Sequence, residues 1–536
     1  MNISSIPISS GAPAPSGVEL DPLAPVTAAP ARFSFAPGRF RLIQVQLHDQ
    51  TDACAELVQE NEWLLHPSQA EMRLQGNVFV VENVVDESGS VFIKFAPLPA
   101  ARATPGEWDV LVHKNGAFEL YESDGYEWRV VNYQGGKWGR IAALHAFQRE
   151  IRPYDPRCDG LFLTNTWGDR NRDAHLNPAF MEREIACAAR LEADVVQIDD
   201  GWQQGITANS AQAQGNALGS WDGFWARDPD FWEVNRSRFP DGLMPLFDQA
   251  RALGLRIGLW FAPDSSDGAA NWERDADLLL RHHRELGVDF FKIDSLKITT
   301  PQSEVNFHRL FAKVRQESQG AVTFDLDITA EKRFGYFGLI EPGPLFVENR
   351  YTDWHNYWPH HTLRVAWQLA HYVDPVRLRL EWLNNARNLD QYANDPLAPA
   401  NYSPDALFAI VMMCAPLGWF ENQSLPEAYF EQAAPLIATW KTHREAMQRG
   451  TILPIGETPD GVAWTGFVSV ASDLKSGYAL LFREINPSPI YEIQLPLLDR
   501  KDGNLEVLAG DGKATLRDGK LRLEIPEKLH FLWLRL

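Results

Sequence analysis

From Leu161 onward the chain alternates short apolar runs with longer segments whose apolar residues recur at helical spacing. That alternation is the sequence sign of parallel strands joined by covering helices, which confines this region to α/β architectures. The strand-like runs are Leu161–Thr166, Asp194–Asp199, Arg256–Phe261, Asp289–Asp294, Ala321–Asp325, Pro344–Glu348, Val376–Glu381 and Cys414–Trp419. Eight in succession predict a closed (β/α)8 barrel of the TIM type. Between them, Leu243, Leu246, Phe247, Ala250 and Leu253 form one apolar helical stripe, and Trp272, Ala276, Leu279, His283 and Leu286 form another. Each stripe stops at a glycine, Gly254 or Gly287, as a helix terminus favours.

At 536 residues the chain exceeds one hydrophobic core, so flanking domains are expected. Residues 1–31 are rich in Pro and Ser and read as a flexible tail. Over 32–140, runs such as Arg41–Gln46, Asn77–Val81, Ser90–Phe95 and Trp128–Val131 alternate with Gly, Asp, Ser and Pro turns, predicting an N-terminal antiparallel β-sandwich. The barrel is expected over 141–449, entered by a linker helix over Trp138–Arg149. A small antiparallel β-domain should close the chain over 450–536, where strand-like runs are broken by turns such as Gly510-Asp511-Gly512.

A net charge of −21 disfavours a nucleic-acid partner. Cys54, Cys158, Cys187 and Cys414 show no metal-type spacing and read as reduced, buried thiols. No basic residue precedes Arg32, and the longest apolar run, Leu407–Phe420, is too short to span a bilayer. A soluble, cytoplasmic protein without a membrane partner is therefore expected. The 19 tryptophans are either core or the lining of a pocket for a ring-shaped ligand.

In a barrel, functional groups collect at the carboxyl ends of the strands. Here those ends carry Asp199-Asp200-Gly201-Trp202, Trp260-Phe261-Ala262-Pro263-Asp264, Lys292-Ile293-Asp294, Asp325-Leu326-Asp327 and Glu348-Asn349-Arg350-Tyr351-Thr352-Asp353-Trp354. Residues two apart on a strand share a face, so Phe290, Lys292 and Asp294 should point into the barrel while Phe291 and Ile293 face the helices. The Lys292 ammonium would then keep Asp294 ionised, which suits a carboxylate nucleophile; a purely structural ion pair is the alternative. Asp199 and Asp200 suit acceptance of hydrogen bonds from vicinal hydroxyls. Metal ligation by that pair is the rival reading, weakened because no histidine or third carboxylate lies at ligand spacing nearby, and no metal site is expected. Acids at successive strand ends would favour a neutral, hydroxyl-rich sugar and repel an anionic one.

The runs Val196-Gln197-Ile198-Asp199-Asp200-Gly201-Trp202-Gln203, Phe239-Pro240-Asp241-Gly242-Leu243 leading to Gly258-Leu259-Trp260-Phe261-Ala262-Pro263, and Phe291-Lys292-Ile293-Asp294 resemble the α-galactosidases of glycoside hydrolase family 36. Farther on, Trp440-Lys441-Thr442-His443-Arg444 before Gly450 resembles that family's exit from the barrel. The resemblance covers roughly residues 130–455 and implies a retaining exo-α-glycosidase that needs no cofactor. It implies Asp294 as nucleophile, Asp199 and Asp200 as binders of sugar hydroxyls, Trp260 as a pocket aromatic, and Lys292 beside the nucleophile. Arg333, with Phe334, matches an Arg-Phe that would reach the sugar or the nucleophile. Trp202 is grouped with the substrate-binding residues.

The departures from the pattern fall near the same site. Where the family has a cysteine and glycines after strand five, this chain has Asp327-Ile328-Thr329-Ala330-Glu331-Lys332-Arg333. Arg350 stands where the family's general acid/base aspartate is expected, and arginine cannot exchange a proton near neutral pH. Asp353 is the first expectation for the missing acid, desolvated between Tyr351 and Trp354; a helix-capping role is its alternative. Glu348 is the second and Asp327 the third. Arg350 and Asp327 are otherwise expected to contact substrate. The substrate is expected to be a small oligosaccharide or glycoside carrying terminal α-linked galactose. Transglycosylation, hydrolysis of another sugar and saccharide binding without catalysis remain alternative readings. The family often assembles, so a homo-oligomer is compatible with the sequence.

Overall fold

The computed structural model describes residues 31–34, 39–49, 56–65, 71–101, 109–114, 117–120, 126–213, 219–330 and 332–536. The tail expected over 1–31 lies outside the described residues apart from Ala31, as does Cys54; Cys158, Cys187 and Cys414 are free thiols. Among the described residues no helix is long and apolar enough to cross a membrane.

Eight parallel strands close into a barrel: β1 (Leu163–Asn165), β2 (Val195–Ile198), β3 (Arg256–Phe261), β4 (Phe290–Ile293), β5 (Thr323–Asp327), β6 (Leu345–Phe346), β7 (Leu378–Trp382) and β8 (Ala415–Trp419). β8 pairs back onto β1, with Leu163 opposite Leu417. Each observed strand overlaps the run expected for it. The helices start and stop where short-range chemistry dictates. Asn177 caps Pro178–Arg190 by accepting from the Phe180 amide, and Thr300 and Ser303 form a reciprocal capping box before Pro301–Glu317. Gly287 adopts φ 79° to end Trp272–Leu286. One stripe residue departs from expectation: Leu253, after the end of Met244–Ala252, is exposed.

Strand parity separates two cores. Val196, Ile198, Leu259, Phe291 and Ile293 face outward into the layer shared with the helices. Leu163, Val195, Phe290, Phe346, Leu417 and Trp419 fill the barrel interior, each fully buried apolar side chain contributing about 1.5–3 kcal/mol. Below them a buried ion pair closes the amino-terminal end: Arg379 lies 3.0 Å from Asp325, and its guanidinium also donates to the carbonyls of Leu161 and Pro416.

Two antiparallel sheets precede the barrel, one of four strands and one of five. Leu42, Phe79, Phe92, Leu111, Phe118 and Trp128 form the core between them, so the unit is a sandwich. A helix over Gly136–Ile151 leads from it into the barrel, and Tyr336 Oη donates to His48 O (2.7 Å) across the junction. After the helix Ala434–Arg449, five-stranded and three-stranded antiparallel sheets pack through Leu453, Val468, Leu481, Leu523 and Leu532.

Candidate active site

A cavity of about 490 Å3 opens at the carboxyl ends of the barrel strands. Lys292, Asp294, Asp327, Arg333 and Phe346 are among its lining residues, with Trp167, Arg170 and Arg172 from the β1 loop, Trp221 from the β2 loop, Lys297 after β4, and Asn349, Tyr351 and Trp354 after β6. Exposure grades its depth. Lys292 and Arg333 are buried, whereas Arg172, Trp221 and Trp354 stand at the mouth.

Asp294 follows the last residue of β4, and its side chain is held from four directions. Oδ1 accepts from the Ser295 amide (2.6 Å) and from Arg333 (3.4 Å); Oδ2 accepts from the Trp260 indole (3.1 Å) and lies 3.8 Å from the Lys292 ammonium. Burial alone would raise this carboxyl. Lys292 and Arg333 outweigh that cost and, with hydrogen bonds from Asp327 and Trp260, lower it to about 2. Asp327, the last residue of β5, accepts from the Thr329 amide and hydroxyl (2.7 Å each). Burial and the Asp294 charge raise it to about 6, against the pull of Arg333 and Lys292. Two carboxyls in hydrogen-bond contact are thus driven apart in acidity, with the ionised one beside the lysine.

Lys292 has a second anchor, Asp199, at 3.1 Å. Burial disfavours its charge, but Asp199, Asp294 and Asp327 together hold it protonated. Asp199 also accepts from Asn165 (2.8 Å), so its carboxylate is committed to the floor. Asp200 points the other way, accepting from Gln203 (2.7 Å) and from Thr207, and burial raises it to about 7. Neither aspartate is among the cavity's lining residues, a departure from the expectation that both meet sugar hydroxyls. Trp202 is wholly buried, its indole donating to Trp260 O (2.8 Å) and its ring packed on Trp232 and His282; it supports Trp260 instead of facing a ligand.

The β6 loop departs furthest from expectation. Arg350 is fully buried and off the cavity wall, its Nε donating to Glu348 (2.5 Å), its amide to Glu381 (2.6 Å) and its Nη1 to Asn356 O (3.1 Å). Burial and the neighbouring Glu348 charge push Glu381 well above the usual carboxylate range. Here the Arg350 guanidinium neutralises Glu348 while Glu381 accepts from the Arg350 amide, and neither Glu348 nor Arg350 lines the cavity. Arg350→Met should therefore destabilise the fold by about 3–5 kcal/mol, and Glu348→Gln in the same chain should recover part of the loss, as read from urea unfolding midpoints. Asp353 is not desolvated as expected; its side chain is 40% exposed and sits 3.5 Å from Arg170.

Sequence reasoning passed over Trp167, Arg170 and Arg172. The signal was present, since they follow the end of β1 as the acids follow β2 to β6. Gly168 holds this loop against β8, because a Cβ there would lie 2.0 Å from Trp419 backbone atoms. Among the described residues no group of three or more His, Cys, Asp or Glu is placed to hold a metal ion.

No family model matches the chain. A 128-residue stretch is 30% identical to an α-galactosidase of Escherichia coli, amounting to 24% of this chain and 15% of that protein's length. Among solved structures, the family 36 α-galactosidase AgaA of Geobacillus stearothermophilus, as a variant in complex with raffinose, shares a TM-score of 0.64 at 13% identity, over 92% of this chain and 76% of that one. The α-galactosidase of Lactobacillus brevis gives 0.65 at 12% identity, over 93% and 75%. At these identities the likeness is one of fold.

Proposed function

We propose that the chain is a retaining, exo-acting α-glycosidase that removes terminal α-linked galactose, with Asp294 as nucleophile and Asp327 as the proton-carrying partner. The observation that carries this reading is the pair itself: Asp294, held by Lys292 and Arg333, and Asp327, whose acidity burial and the Asp294 charge weaken, face one cavity. Asp294 attacks the anomeric carbon while Asp327 protonates the departing oxygen; Asp327 then takes a proton from the water that releases the sugar. Double displacement needs the carboxyls about 5–5.5 Å apart, so an entering sugar must break the Asp327–Asp294 hydrogen bond and turn Asp327 toward the glycosidic oxygen. Lys292 and Arg333 keep the nucleophile charged, and Trp260 orients it. The proton role passes to Asp327 from Asp353 and Glu348 because Asp353 sits outside the cavity lining against Arg170, and Glu348 is enclosed by Arg350.

The choice of galactose rests on similarity, namely the stretch shared with an α-galactosidase and the fold shared with an α-galactosidase solved with raffinose. A panel of aryl α- and β-glycosides tests both parts. Aryl α-galactosides should be turned over, with α-galactose as the first anomer seen by NMR. Turnover of α-glucosides alone would keep the mechanism and change the sugar. No turnover of any glycoside, with saccharide binding by calorimetry, would leave a binding protein. A second reading, transfer to a saccharide acceptor, is favoured by Trp221 and Trp354, whose exposed rings at the mouth could stack on an acceptor.

A further inference from the structure

The cavity's charge runs against that of the chain. In a protein of net charge −21, the charged side chains lining the cavity are Arg170, Arg172, Lys292, Lys297 and Arg333 against Asp294 and Asp327. This reverses the expectation of an acid-lined pocket, because Asp199 is spent on Lys292 and Asp200 is turned into the wall. The floor cations are occupied: Lys292 holds Asp199 and Asp294, and Arg333 holds Asp294. At the mouth, Lys297 lies 3.6 Å from Asp222. Arg172 makes no hydrogen bond or ion pair among the described residues. Arg170 is stacked 4.0 Å from the Trp354 ring centre and its Nε lies 3.5 Å from Asp353, while its Nη1 is buried without a hydrogen-bond partner.

The backbone carries a second sign. Arg170 (φ 57°) and Arg172 (φ 54°) are both left-handed, a conformation that costs a side-chain-bearing residue about 1 kcal/mol or more. The turn is clamped there by Asn171 on Glu421 (2.7 Å) and by Asp173, which accepts from Ser210 (2.5 Å), the Ala211 amide (2.6 Å) and Arg238 (2.7 Å).

We propose that Arg170 and Arg172 form a binding site for an oxyanion, a carboxylate or sulfate, on the leaving-group side of the substrate. The proposal rests on the glycosidase reading, which puts the terminal sugar on the floor against Asp294 and the leaving group at the mouth. Paired guanidinium groups suit a planar or tetrahedral oxyanion, and the Trp354 ring keeps Arg170 extended toward it.

The test compares two phenyl glycosides of the sugar that the panel identifies, one with a para carboxymethyl group and one with a para hydroxyethyl group, whose phenols are of matched acidity. Wild type should favour the carboxymethyl compound in kcat/KM by about tenfold at low ionic strength, less at high salt. Arg170→Gln and Arg172→Gln should each reduce that preference. Equal use of both glycosides by wild type, or a preference that survives both substitutions, would overturn the proposal. So would a gain confined to a glycoside sulfated on the sugar. If no glycoside is turned over, the glycosidase reading fails by itself, and inorganic sulfate titrated into the wild-type protein decides the arginine site by tryptophan fluorescence. A saturable change weakened in both variants supports the site; no saturable change refutes it.

Discussion

Asp294→Ala should lower kcat/KM for an aryl glycoside by about 10^4-fold or more, the scale on which removal of a covalent nucleophile acts. The variant should still fold. Lys292 keeps Asp199 at 3.1 Å, and Arg333 keeps its hydrogen bond to Leu296 O, so neither cation is left bare. Azide should restore turnover of an activated aryl α-glycoside by entering from the face the carboxylate occupied, giving the β-glycosyl azide. Product of that configuration is the decisive readout, because a merely structural aspartate would not yield it. Residual activity within an order of magnitude of wild type, in a folded variant, would remove Asp294 from the chemistry.

Asp327→Ala should cost about 10^2–10^4-fold with poor leaving groups and little with dinitrophenyl glycosides, which need no proton. Here azide should speed release of the glycosyl-enzyme and give the α-azide. The pH profile supplies a separate check. Asp327 is raised to about 6, so its acid form is present below that value and is lost as pH rises through it. Asp294 is lowered to about 2, so the nucleophile stays ionised until far more acidic solution. The kcat/KM of wild type should therefore fall as pH rises past about 6, a limb set by the pair together and absent from Asp327→Ala. If Asp353→Ala shows the leaving-group dependence and azide rescue while Asp327→Ala shows neither, the proton role belongs to Asp353.

Much of the architecture was legible because its causes are local. Strand length, helical stripes and terminal glycines such as Gly287 depend on residues a few positions apart, and parity along Phe290–Asp294 placed Lys292 and Asp294 inside. Parity does not give depth. Asp325 and Asp327 share a face, yet one closes the barrel's far end with Arg379 and the other meets the cavity. The stagger of eight strands decides which. Arg350 was opaque for a related reason: its partner Glu381 lies on β7, so the enclosure of Glu348 is a tertiary fact. Asp199 and Asp200 were adjacent in sequence but diverge, one toward β4 and one toward Thr207, because successive residues leave a strand on opposite sides.

Among the described residues, the plug formed by Phe290, Leu417, Trp419 and the Arg379–Asp325 pair closes the barrel beneath the cavity, which opens at the carboxyl ends of the strands. Under the glycosidase reading, the departing group and an incoming acceptor would use the same mouth. Under the proposed mechanism the first product must clear the mouth before the glycosyl-enzyme can be discharged. A slowly dissociating first product would then act as a stopper that keeps water out, and reaction order, as much as acceptor affinity, would set how the sugar is partitioned.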